Sequence, residues 1–213
     1  RQMCIRDRLM TVLGAGLGIF LALTYPSMFV ILAVSSGMVT LISSIVALLS
    51  IRLSKVFGTI YCLFEGLTLG VLSYIVTQLV SGAVGVALLS TIAVFGVCAF
   101  LFVSNVVKVN SKFLRFLTMF VISYIFFALV LMIMQMFGYE MNLGLNLLVS
   151  AISIFIASLY LFFDLENIRQ VVQGQYPKQY EWYAAFGLSF TLIWLYVEIL
   201  RIAIVILSKA NDR

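Results

Sequence analysis

The 213-residue chain contains no histidine, only eight acidic residues and only three cysteines. Each shortage closes a class of chemistry. Without histidine there is no imidazole general base and no HExxH zinc helix, and the sequence also lacks a P-loop and a GxSxG turn before a helix. Cys4, Cys62 and Cys98 show neither CxxC nor Cys/His spacing, so a zinc site and a structural disulfide have no support. An intramembrane aspartyl protease needs two catalytic aspartates, and Asp164 is the single aspartate inside an apolar stretch. The chain reads as a non-enzyme without a cofactor.

What abounds is apolar surface. Hydrophobic residues make up 64% of the chain and charged residues 10%, with a mean hydropathy of +1.19. That composition belongs to integral membrane proteins, because a hydrocarbon core of about 30 Å takes about 20 apolar residues per helix. Apolar runs at 9–24, 27–50, 57–80, 83–106, 114–137, 143–165 and 184–208 predict an all-α membrane protein of seven transmembrane helices. They form one membrane domain over 9–208, followed by a short tail at 209–213. Residues 1–8 differ from the run that follows in composition and periodicity, and are set aside as a non-native or truncated segment. Gly14, Gly16 and Gly18 in the first run let a neighbouring helix approach closely. The longest predicted connection runs from Glu166 to Tyr183, and its Tyr176, Tyr180, Trp182 and Tyr183 fit an aromatic belt at the headgroups.

The net charge of +5 is spread over helix ends rather than gathered in a patch, which argues against a nucleic-acid partner. The lipid bilayer explains it better. The hairpins at 24–27, 80–83 and 138–142 carry no Lys or Arg, whereas the alternate connections carry Arg52 and Lys55, then Lys108, Lys112 and Arg115, then Arg169 and Lys178. The positive-inside rule places those three connections in the cytoplasm, with the N-terminus inside (Arg1, Arg6, Arg8) and the C-terminus outside. Lys209 and Arg213 run against the latter, as they would if the last run were re-entrant.

Against this background three carboxylates stand out. Glu65, Asp164 and Glu198 all lie within apolar runs, and an ionisable group at membrane depth is kept mainly where it pairs or lines an aqueous path. Asp164 falls near the cytoplasmic end of the sixth run and Arg52 at that end of the second, so the two share a depth and can form a proton-controlled latch. The alternative is an Asp at a helix end that only reaches the headgroups. Glu65 lies too deep to reach the surface, and Gly66 with Gly70 forms a small-xxx-small pair beside it, so it faces the bundle interior, either on a path or as a protonated interhelical link. Glu198 shares a helix face with Thr191, Trp194 and Leu195, and Arg201 follows at i+3, close enough to neutralise it. Hydroxyls and amides at Ser73, Tyr74, Asn105, Gln135, Asn146 and Ser153 either extend an interior path or serve as ordinary interhelical hydrogen bonds. Oxygen ligands suit calcium or protons better than transition metals, which makes Glu65, Asp164 and Glu198 candidate transient calcium ligands.

Four segments carry a family resemblance: Ile60-Tyr-Cys-Leu-Phe-Glu65-Gly-Leu-Thr-Leu-Gly70, Ser158-Leu-Tyr-Leu-Phe-Phe-Asp164-Leu-Glu-Asn-Ile168, Tyr180-Glu-Trp-Tyr-Ala-Ala-Phe-Gly-Leu188 and Leu192-Ile-Trp-Leu-Tyr-Val-Glu198-Ile-Leu-Arg201. Together they resemble the bacterial YccA-like branch of the Bax inhibitor-1 (transmembrane Bax inhibitor motif) family. The resemblance implies seven helices around a central, more polar one, an inner-membrane location and a pH-sensitive calcium leak. It further implies a gate of two aspartates on the last two helices, locked by an arginine from the second. Asp164 matches the first aspartate and Arg52 the lock, while the place of the second aspartate falls near Thr191 or Leu192. Glu65, Glu198, Thr191 and Arg201 are then the expected interior polar path. The competing expectation is a non-conducting regulator that binds a membrane quality-control protease or another membrane protein.

Overall fold

The computed structural model describes residues 2–25, 29–139, 141–174 and 176–211, with side chains from Leu9 onward except at positions 22, 29, 30, 32, 178, 210 and 211. Arg1 and Arg213 and the side chains of Arg6, Arg8 and Lys178, on which the orientation draws, lie outside the described residues, as does the side chain of Cys4. Among the described residues seven helices follow in order: α1 (Gln2–Thr24), α2 (Phe29–Leu49), α3 (Ser54–Leu79), α4 (Ala83–Val103), α5 (Ser111–Met136), α6 (Leu143–Gln173) and α7 (Lys178–Asn211). The expected all-helical architecture is present. Helices α3 to α7 are long and apolar enough to cross a membrane, and α1 and α2 carry shorter apolar stretches at Leu9–Leu21 and Ala33–Leu49.

Helix ends follow local chemistry. Asn110 caps α5 by accepting the Phe113 N–H at 2.8 Å, and Asn142 caps α6 by accepting the Leu145 N–H at 2.8 Å; each satisfies one of the amides that a first turn leaves unpaired. At the far end of α5, Gly138 takes a φ of +86° and lets the Tyr139 N–H reach back to the Met134 carbonyl, the closure for which a residue without Cβ is preferred. Asn105 does the same after α4, with a φ of +54°. It is exposed, so Asn105 ends a helix rather than lining an interior path.

The chain divides into two compact units, 1–84 with 167–190, and 85–166 with 191–213. In the first, α1 and α3 touch backbone to backbone. A Cβ on Gly14 or Gly18 would collide with the carbonyls of Leu63 and Leu67, and one on Gly66 or Gly70 with those of Thr11 and Ala15. Two small-xxx-small stripes therefore interlock, the arrangement by which helices associate where water supplies no driving force. Gly16, by contrast, faces open space. Helix α2 lies against the other side of α3 through a polar stripe of Ser36, Thr40, Ser43 and Ser44, all buried, with the Ser36 and Thr68 hydroxyls 2.8 Å apart. Near the start of α7, Phe186 packs edge-on against Tyr61 with centroids 5.3 Å apart, fitting over Gly58.

In the second unit α6 and α7 carry most of the buried side chains, among them Ile156, Leu161, Leu195 and Leu200. Cys98 of α4 points its thiol at the Ser158 carbonyl of α6, 3.9 Å away, and Tyr124 of α5 lies beside Trp194 of α7. Helix α5 buries only Leu117 and Leu131 among its described residues. Much of its remaining surface, including Phe116, Met119, Ile122 and Phe126, is exposed and apolar, as a lipid-facing helix requires.

One expected loop is absent. Residues 166–173 continue α6 and 178–183 begin α7, so the connection shrinks to 174–177. The reason is that an apolar run measures the membrane and not the helix: Glu-Asn-Ile-Arg-Gln-Val-Val-Gln holds no breaker until Gly174 and Pro177. At 1.5 Å per residue α6 and α7 reach about 47 and 51 Å, well beyond a hydrocarbon core of about 30 Å. Tyr176 and Tyr180 pair at 5.3 Å, and the Lys55 ammonium sits 5.5 Å from the Trp182 ring, so this end still gathers aromatics as a belt would. Residues 2–8, set apart in the sequence, have helical backbone continuous with α1.

Candidate functional site

Asp164 lies nine residues before the end of α6 and is only 3% exposed. The Thr191 hydroxyl of α7, itself buried, donates to Asp164 Oδ2 at 2.6 Å, a length within the range of charge-assisted O–H···O bonds. Thr191 was expected with Glu198 on an interior path; its partner is instead Asp164. Glu166, placed by the sequence in a loop, is buried on the same helix and has interaction partners of its own.

Further along the same pair of helices, Trp194 Nε1 donates to Ser153 Oγ at 3.1 Å. Glu198, one turn beyond Trp194, is 6% exposed and faces the Arg201 guanidinium at 3.3 Å, an i,i+3 ion pair whose arginine is half exposed. The contact is at charge-pair distance, yet no N–H is aligned on Oε2 as a hydrogen bond.

Glu65 belongs to the other unit. It is half-buried on α3, with the Thr40 hydroxyl of α2 in hydrogen-bonding reach and Tyr61 one turn away. The α2 hydroxyls spend their single protons on their own helix: Thr40 on the Gly37 carbonyl at 2.8 Å, Ser43 on Val39 at 2.6 Å, Ser44 on Leu41 at 2.9 Å. Their remaining capacity is to accept. Arg52 is exposed in the turn between α2 and α3.

The three carboxylates are thus held by different partners. Asp164 is joined to Thr191, Glu198 to Arg201, and Glu65 lies beside the α2 hydroxyl stripe. Among the described residues no group of three or more His, Cys, Asp or Glu is gathered that could hold a metal. Sequence reasoning missed the α2 stripe, although 36, 40, 43 and 44 share one helix face and that signal was readable.

A family model described as Bax inhibitor 1 like matches residues 4–208. The chain belongs to the Bax inhibitor 1 like family. As a member of that family with five long apolar helices, it is a multi-pass membrane protein. No curated protein matches the sequence. Within this Bax inhibitor 1 like chain, Asp164 lies in one of the segments that carried the resemblance and Thr191 immediately before another, where the resemblance implied a second acid and a hydroxyl stands instead.

Proposed function

We propose that this chain is a proton-sensitive cation leak of a bacterial inner membrane, with calcium as the ion, Asp164 as the proton sensor and Arg52 as the lock. The observation that carries the reading is a carboxylate buried within an apolar helix bundle and held by a single hydroxyl donor, Thr191. An ionised Asp164 can only accept, so Thr191 must give it its proton. A protonated Asp164 can donate instead, and Thr191 is then free to turn its proton onto a carbonyl one turn back on its own helix. Protonation thus reverses the bond between α6 and α7 and removes the charge on Asp164. Thr191 takes the part of the missing second acid: it senses the state of Asp164 without adding a charge.

Two further features support cation passage. The α2 stripe adds buried hydroxyl oxygens beside the Glu65 carboxylate within an otherwise apolar bundle, the polar grouping that is kept at membrane depth mainly where it pairs or lines a path. Glu198 supplies a second buried carboxylate. The positive connections at 52–55, 108–115 and 169–178 orient those ends to the cytoplasm, with the N-terminus inside and the C-terminus outside.

The test is calcium entry into dye-loaded liposomes holding the purified protein, from about pH 6 to pH 8, where a buried carboxylate can titrate. The reading expects flux that depends on pH in the wild type and is altered in Asp164→Asn and Glu65→Gln. No flux at any pH, with both variants indistinguishable from wild type, would sink it and leave the non-conducting regulator that binds a membrane protease as the surviving account.

A further inference from the structure

The three basic connections differ in what surrounds their charge. In 52–55 the Lys55 ammonium already rests 5.5 Å from the Trp182 ring. At 169–178 Arg169 has interaction partners of its own, and the flanking helices carry Glu166 and Glu181. At 108–115 nothing balances the charge. No Asp or Glu occurs between Glu65 and Glu140, so the α4–α5 hairpin holds Lys108, Lys112 and Arg115 and no acid. All three are exposed, and among the described residues none of them enters an ion pair. Lys112 lies in the first turn of α5, which holds no acid, although the positive end of a helix dipole disfavours a cation there.

The same face of α5 then turns apolar. Lys112, Arg115, Met119, Ile122 and Phe126 follow one another at alternating three- and four-residue steps and so form one stripe, exposed along its whole length. From Arg115 to Phe126 it rises about 16 Å, close to half of a hydrocarbon core of about 30 Å. Two cations therefore stand at the head of an exposed apolar track one leaflet deep. From this juxtaposition we infer that the start of α5, with Lys108 of the preceding loop, is a binding surface for an anionic phospholipid of the adjacent leaflet. The phosphate meets Lys112 and Arg115, and an acyl chain lies along Met119, Ile122 and Phe126. The Arg115 guanidinium can take two phosphate oxygens at once, while the lysines add point charges. The lipid's net negative charge supplies what the α5 start lacks. A zwitterionic lipid brings an ammonium as well, and this patch holds no acid to receive it. A soluble anion would meet the cations and leave the apolar track unmatched. The surface depends on the chain being a multi-pass membrane protein and not on the conduction reading above.

The test is native mass spectrometry of the full chain released from detergent micelles, titrated with phosphatidylglycerol or with phosphatidylcholine of the same acyl chains. Expected is retention of phosphatidylglycerol at concentrations where phosphatidylcholine is lost. A cation beside an anionic lipid surface is worth about fivefold in affinity, so Lys112→Gln with Arg115→Gln should weaken phosphatidylglycerol binding about twentyfold. Arg115→Lys keeps the charge and should stay within about threefold of the wild type. Lys55→Gln with Lys209→Gln removes the same total charge from exposed positions elsewhere and should change binding less than about twofold. Glycerophosphoglycerol, the headgroup without its chains, should not compete. Equal retention of the two lipids, equal losses in the two double variants, or displacement by the chain-free headgroup overturns the surface. Calcium flux does not enter this readout, so loss of the conduction reading leaves the lipid surface standing, and loss of the lipid surface leaves the conduction reading standing.

Discussion

Replacing Thr191 with valine keeps the shape of the side chain and deletes one hydroxyl. That hydroxyl donates to Asp164 Oδ2 at 2.6 Å, and both residues are buried, at 1% and 3% exposure, so no water substitutes for it. A hydrogen bond to a charged group is worth about 1.5–3 kcal/mol, and the acceptor left behind carries the desolvation penalty. Thr191→Val should therefore destabilise the protein by about 2 kcal/mol, roughly a thirtyfold change in the folding equilibrium. The same substitution made in an Asp164→Leu background should cost almost nothing, because two apolar groups of matching shape then face each other. Stability is read from reversible SDS titration in mixed micelles, following tryptophan fluorescence, for the four members of the cycle. A coupling energy of about 2 kcal/mol is expected. Equal costs of Thr191→Val in the two backgrounds, with coupling under about 0.5 kcal/mol, would refute the claim that Thr191 acts through Asp164.

Gly66→Val drives a side chain into the Thr11 carbonyl and should cost at least about 2 kcal/mol, seen as loss of the monodisperse peak in detergent chromatography, whereas Gly16→Ala, which meets nothing, should leave the peak unchanged. Arg201→Ala leaves the buried Glu198 carboxylate without its cation; with the arginine half exposed, a loss of about 1–3 kcal/mol is expected by the same SDS titration, and adding Glu198→Gln should recover most of it. Phe186→Ala, which empties a fully buried ring site against Tyr61, should cost about 3–5 kcal/mol on that scale.

The number and order of helices were legible because long apolar runs leave no other fold for a membrane to accept. Their ends were not, since α6 and α7 continue as helix past the apolar stretch and into polar sequence that nothing breaks until Gly174 and Pro177. The small-residue stripes of α1 and α3 could be read one at a time, but that they meet each other is a tertiary fact. The Glu198–Arg201 pair was visible because i,i+3 spacing on one helix fixes who meets whom. Thr191 illustrates the converse. Its seven-residue spacing from Glu198 suggested a shared role, while its actual partner was set by the register of α6 against α7.

The central claim is that protonation of Asp164 governs passage of cations. The most direct measurement compares the pH dependence of calcium flux through liposomes holding equal amounts of wild type and Asp164→Asn, a variant that keeps the side-chain shape and cannot ionise. The account expects flux that changes with pH across about pH 6–8 in the wild type and is flat in the variant. Identical pH profiles for the two proteins, or no flux from either, would contradict it.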